Sequence, residues 1–183
     1  MTTRDKATGK SERLAVLNNA EQEALYGLPE RLEFLALDES ELTLACSCQG
    51  LHAQIYCILQ IAYFKTKHLF FRFGWDDVKD DCNFVPNRYF HEESLPDKLP
   101  SKHELYAQRN KICALYDYQP WSSALASQLQ LQAAHIVHRD VTPGFVATEL
   151  IIWLNEHKVI RPGYTTLQEL VSQALSSERQ RLG

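Results

Sequence analysis

Apolar positions recur along this chain at spacings of three and four residues, and short turns interrupt them. No region alternates apolar and polar residues long enough to make a strand, and no internal repeat is visible. Asn18 or Asn19 is placed to cap a short helix that carries Leu25 and closes at Gly27 and Pro29. A brief apolar stretch runs from Leu32 to Leu37. Asp38 stands three residues before Glu41, a capping-box pair that predicts a helix ending near Ala45. Gly50 marks the turn, and a long helix starts near Leu51 with Ile55, Ile58, Leu59 and Ala62 at helical spacing. Two helices about a tight turn suit a helix-turn-helix. The stretch WDDVKDDCNFV predicts a further helix with Asp76 and Asp77 at its positive end, and Pro86 is expected to end or kink it. HEESLPDKLP, residues 91–100, is polar, holds two prolines and reads as a linker. Beyond it, Ser101 and Glu104 form a second capping box, followed by Leu105, Ile112 and Leu115. Pro120 breaks the chain, and Leu125, Leu129, Ala133 and Ile136 form the next stripe. Thr142-Pro143 opens a helix that buries Val146, Leu150, Trp153 and Leu154. Thr165 or Thr166 is expected to cap a last helix with Leu167, Leu170, Val171 and Ala174 inward.

The fold expected is all-α: a frayed tail over 1–12, a helix-turn-helix-like lobe over 13–90, a Pro-containing linker over 91–100 and a second helical lobe over 101–183. A hydrophobic content of 45% supports a true core. The longest apolar run, residues 51–64, contains His52, Gln54 and Gln60 and stops at Lys65, short of the roughly 20 residues that span a bilayer. The N-terminus lacks the apolar stretch of a signal peptide. Five cysteines without a C-x-x-C pair fit reduced thiols, so the expected location is the cytoplasm.

A net charge of −4 weighs mildly against nucleic acid, but its distribution is uneven: residues 1–97 carry −6 and residues 98–183 carry +2. Lys65, Lys67 and Arg72 follow the apolar helix among Phe64, Phe70, Phe71 and Phe73. They read as snorkelling cations at a helix end or as a surface that meets an acidic partner. Other candidate chemistry has a plainer reading. Cys46, Cys48 and His52 lack a local fourth zinc ligand and read as thiols beside a turn. His135 and His138 read as structural, and Asp76, Asp77, Asp80 and Asp81 as a solvated helix start. His138-Arg139-Asp140 spells a kinase catalytic triplet without the glycine-rich loop or D-F-G that must accompany it. No phosphate loop, nucleophile elbow or zinc-protease motif is present, and no catalytic residue, metal or cofactor is expected.

Four blocks in order, LNNAEQEALYGLP, IYCILQIAYFKTKHLFF, QRNKICALYDYQPW and VIRPGYTTLQELVSQALSSERQRL, resemble the N-terminal region of the replicative transposases of class II transposons, the Tn-three or TnA family. The resemblance runs from about Arg13 to Leu182. It implies a helical region that binds double-stranded DNA at the transposon's terminal inverted repeats. The family's catalytic RNase H-like domain lies downstream of the corresponding segment. DNA contacts are then expected from Lys65, Lys67 and Arg72 in the first lobe, and from Lys102, Gln108, Arg109, Asn110 and Lys111 in the second. Thr165 and Thr166 are added at a helix N-terminus suited to phosphate. Members of that family carry a basic turn like R-G-D-H-N-R-L-G before the long helix. Here the stretch is CSCQGLHAQ, without Arg or Lys, so the second lobe is the favoured DNA-binding part. The alternative is a helical dimerisation or regulatory module, a homodimer built on an apolar patch around Phe64–Phe73.

Overall fold

The computed structural model describes residues 33–91 and 94–183; the expected tail and the helix around Leu25 lie outside the described residues. Seven helices are bounded among them: α1 (Glu39–Cys46), α2 (Leu51–Lys67), α3 (Lys79–Tyr89), α4 (Lys102–Leu115), α5 (Ser123–Val137), α6 (Pro143–Glu156) and α7 (Tyr164–Leu182). The fold is all-helical. Extended pairing among the described residues is limited to one parallel bridge, Gln119 with Val159.

The chain divides into two compact units at Tyr118/Gln119, not within 91–100. The proline-containing stretch is therefore a connection inside one unit, and α4 belongs with α1 and α2. The reason is long-range bonding that no local pattern announces. Gln108 Nε2 donates to the Ala53 carbonyl of α2 (3.0 Å). Lys111 Nζ donates to Ser47 Oγ after α1 (3.2 Å). The Tyr116 hydroxyl donates to Glu41 of α1.

In the unit ending at Tyr118, α2 is the central rod. Every residue from Ile55 to Phe64 is buried, so this stretch of α2 presents no face to solvent. The turn before it needs Gly50, whose φ of 87° disfavours side chains and where a Cβ would meet the His52 ring at 3.0 Å. The α1 capping box forms as expected: Glu41 N donates to Asp38 Oδ1 (2.8 Å) and Asp38 N to Glu41 Oε2 (3.0 Å). Glu41 is only 4% exposed, and its carboxylate also takes Lys65 Nζ at 3.0 Å. Pro86 does not end α3. The helix continues to Tyr89, and Asn87 Nδ2 donates to the Asn83 carbonyl (3.0 Å). The Tyr89 hydroxyl then ties the last turn to the Leu35 carbonyl and the Leu37 amide.

The unit from Gln119 packs α5, α6 and α7 on one another around Leu129, Ile136, Leu150, Leu154, Leu167 and Val171. Each such side chain contributes about 1.5–3 kcal/mol when fully buried. Gly163, not a threonine, is the N-cap of α7; Thr165 and Thr166 fall within its first turn. Pro162 and Gly163 set the backbone entry so that the helix begins one residue before the threonines. Thr142 holds the α6 N-cap position without a side-chain cap bond, and Asp140 Oδ1 accepts from its amide instead (2.6 Å). Near the end of α7, Glu178 accepts from Arg181 at 2.6 and 2.8 Å and lies 2.9 Å from His138 Nδ1.

Two stability tests follow. Removing the Glu41 carboxylate leaves Lys65 and the Tyr116 hydroxyl without it in a largely buried setting. Glu41→Ala is expected to cost about 3 kcal/mol in urea unfolding, and a loss below 1 kcal/mol would show the carboxylate to be incidental. At the other unit, the Arg181 hydrogen bonds, helped by His138, hold the Glu178 carboxyl at about 2, below its ordinary 4.5. A depressed folded value stabilises above the ordinary carboxylate range and is lost as pH falls from about 4 to about 2. Acid unfolding of Glu178→Gln should therefore lack the wild-type pH dependence in that window; identical profiles would remove the role given to the cluster.

Candidate nucleic-acid interface

The segment after α2 is held outward-facing by α2 itself. His68 closes the helix in the left-handed region (φ 54°), its amide donating to the Phe64 carbonyl at 2.8 Å. Residues 70–74 then run outside any helix, alongside α2. Gln60 Nε2, fully buried in α2, donates to the Phe71 carbonyl (2.8 Å). The Tyr56 hydroxyl donates to the Phe73 carbonyl (3.2 Å) and accepts from the Phe73 amide (3.3 Å). Backbone pinned on both sides of residue 72 turns Phe73 into the core and leaves Arg72 exposed.

The aromatics around it pack on one another. Tyr56 stacks on Phe73 with centroids 4.2 Å apart, and Phe64 lies 5.0 Å from Phe70 and 5.0 Å from Tyr118. Phe64 and Phe73 are buried, while Phe70 and Phe71 are half-buried. The apolar surface patch expected for a dimerisation module at Phe64–Phe73 is therefore not formed, because these rings line the joint between α2 and its neighbours.

Arg72 and Lys102 line one cavity of about 320 Å³ with Tyr56, Gly74, Asp77 and Leu105. Asp77 is its one carboxylate, and Asp77 Oδ2 accepts from the Gly74 amide (2.7 Å). The Arg109 guanidinium lies 5.5 Å over the Phe70 ring. Burial lowers its pKa, nearby Tyr56 opposes the shift, and the positive charge of Arg72 adds to it, so the two cations feel each other. The Arg109 Nε makes no hydrogen bond.

On α4 the solvent-exposed arc comprises Lys102, His103, Tyr106, Asn110, Lys111 and Ala114, with no carboxylate among them. Tyr106 is 67% exposed. Glu104 lies at the arc's edge, where its carboxylate accepts from the Ser101 amide (2.7 Å) and lies 3.5 Å from His52 Nε2. The capping box thus ties the helix's one acid back to its own N-terminus, and its pKa is lowered mainly by the bonds to Ser101.

The sequence-derived residues accordingly separate. Arg72, Lys102, Arg109, Asn110 and Lys111 share one unit, and all but the half-buried Arg109 are exposed. Gln108 is 3% exposed and spent on Ala53, so it fastens α4 instead of facing a base. Lys65 is spent on Glu41 and on the Ala36 carbonyl (3.1 Å). Lys67 is half-buried at the end of α2. Thr165 and Thr166 belong to the other unit. His103 and Tyr106 were missed, although the helical phase of Lys102, Asn110 and Lys111 places them on the same arc. Among the described residues no three His, Cys, Asp or Glu side chains converge as a metal site, and no helix is long and apolar enough to cross a membrane.

No curated protein and no solved structure matches this chain significantly. A family model does match, over residues 16–174, which is most of the chain. By that match the chain belongs to the DUF4158 family, a domain of unknown function.

Proposed function

We propose that this chain is a DNA-binding module, similar to the end-recognition region of a class II transposase and without catalysis of its own. The observation that carries the reading is the carboxylate-free solvent arc of α4 beside Arg72. A helix of 14 residues is about 21 Å long and about as wide as a major groove. Lys102, Lys111 and Arg72 would meet phosphates, and release of counterions from them supplies the affinity. Asn110 is the exposed amide on the arc, and a carboxamide pairs with the adenine edge through two hydrogen bonds. Tyr106 offers a ring for apolar contact between the two basic ends. Arg109 supports the arc from behind, its charge held over Phe70, and so adds to the positive potential without facing solvent fully.

The reading differs from one based on the order of residues alone in where it puts the site. The unit that contains α1 to α4 carries it: Lys102, Asn110 and Lys111, expected in the second lobe, share that unit with Arg72, and Thr165 and Thr166 of α7 belong to the other unit and take no part. The dimerisation alternative gains no specific support, since the aromatics that it needed lie in the joint between helices.

Fluorescence anisotropy with a transposon terminal repeat and a scrambled duplex, at two salt concentrations, tests the reading. Tighter, salt-dependent binding to the repeat is expected. Lys102→Gln and Lys111→Gln should each lower the slope of log affinity against log salt by about 1. Asn110→Ala should weaken the repeat by about 1–3 kcal/mol and the scrambled duplex less. Absence of binding at low salt, or slopes unchanged in both lysine variants, would overturn it.

A further inference from the structure

The cavity that Arg72 and Lys102 share has two contrasting parts. Buried Tyr56, Phe73 and Pro100 make its floor, and exposed Arg72, Lys102, Leu99 and Asp77 make its rim. The floor is aromatic and fixed: Tyr56 stacks on Phe73 and meets the Trp75 ring at 5.7 Å in a T-shaped contact. The Tyr56 hydroxyl spends its proton on the Phe73 carbonyl, so the floor offers a ligand apolar contact and no donor from Tyr56. The rim carries the charge. Among the described residues, neither Arg72 nor Lys102 is held in an ion pair. Asp77 is the one carboxylate of the lining, and its Oδ2 is already engaged by the Gly74 amide. Lys102 is also the first residue of α4, which puts the positive end of that helix at the same wall. Glu104, the acid in the first turn of α4, lines a different cavity.

We propose that this cavity binds one mononucleotide unit, with its phosphate between Arg72 and Lys102 and its base against Leu99, Leu105 and the apolar floor. The volume of about 320 Å³ lies at the small end of ligand sites, so it suits one such unit and not a run of them. The ligand needs both parts. Inorganic phosphate leaves the apolar wall uncovered, and a neutral ring leaves two cations unused. The base is held by its face, because Tyr56 has no free proton with which to read an edge. Stacking of this kind is tolerant of base identity. The same unit has two sources: a free nucleotide, or an unpaired nucleotide at the end of a duplex lying on α4. Only the second rests on the DNA reading.

The whole chain, isotope-labelled, is titrated with deoxyadenosine monophosphate, inorganic phosphate and deoxyadenosine while the amide resonances of Gly74 and Lys102 are followed. The monophosphate should shift both amides and saturate. Phosphate alone and the nucleoside should each bind about tenfold more weakly. Arg72→Gln and Lys102→Gln should each weaken the monophosphate about tenfold. Leu99→Asp sets an acid on the rim at an exposed position, so it should abolish saturation while the circular dichroism stays that of the unmodified chain. Thymidine monophosphate should bind within about fivefold of the adenine nucleotide. Unmoved Gly74 and Lys102 amides overturn the proposal, as do equal binding of phosphate and nucleotide, or an affinity that survives in both cation variants. A second arm separates the sources by anisotropy with a blunt duplex and the same duplex carrying one unpaired terminal nucleotide. A gain of about fivefold from the unpaired nucleotide, removed by Leu99→Asp, assigns the DNA end. Equal affinity for the two duplexes beside saturable monophosphate binding assigns the free nucleotide. Failure of both duplexes to bind, with the monophosphate still bound, overturns the DNA reading alone and leaves the cavity's ligand standing.

Discussion

The carboxylate of Glu41 is the constraint on which the unit from α1 to α4 depends. One buried group completes the α1 capping box, receives Lys65 from the end of α2 and receives the Tyr116 hydroxyl from the end of α4. A buried carboxylate is tolerated only when its oxygens are satisfied, and here each has a partner from a different helix. The three helix ends are thereby fixed at a single point. This junction decides which side of α4 is lost to packing, and so which residues remain on its solvent arc. It also raises the Tyr116 pKa, where burial acts first and the Glu41 carboxylate adds to it.

The α2 helix turns core into scaffold by the same economy. It is buried from Ile55 to Phe64, and its polar residues Tyr56 and Gln60 hold the backbone on both sides of Arg72. The aromatic, basic segment that follows α2 therefore has two jobs divided by residue. Phe64 and Phe73 fill the core, Phe70 carries Arg109 over its face, and Arg72 is left to solvent. Lys65, a cation spent internally, lies among them and cannot be told from Arg72 by spacing.

Local signals were legible in the sequence to the extent that their physics is local. Both capping boxes, the start of α2 at Leu51 and the inward stripes of α5, α6 and α7 follow from side chains within four residues of each other. The boundary between units was not legible, because Gln108, Lys111 and Tyr116 find partners more than fifty residues away. The two prolines of 91–100 signal a loop, which is true of a linker and of a connection inside a unit alike. Pro86 did not end its helix, for a related reason: the breaker rule treats the lost bond alone, whereas the Tyr89 hydroxyl anchors the last turn to residues more than fifty positions away. At the candidate interface, Gln108, Arg109, Asn110 and Lys111 are four consecutive polar residues. Their 100° steps separate a buried amide from an exposed one, and only the packing of α4 supplies the phase.

The turn CSCQGLHAQ lacks the basic residues that the resembled transposases carry before their long helix, and in the sequence this counts against DNA contact nearby. Folding changes the weight of that difference. α4 packs across the turn, and Lys111 reaches it from the other helix to donate to Ser47 Oγ. The positive charge at this turn is thus supplied across space by α4 instead of along the chain. A basic residue within the turn would face Lys111 at close range and compete with it, since like charges in contact repel. Lys111 thus stands beside a stretch without Arg or Lys, and the junction at Glu41 is one of the contacts that hold α4 there.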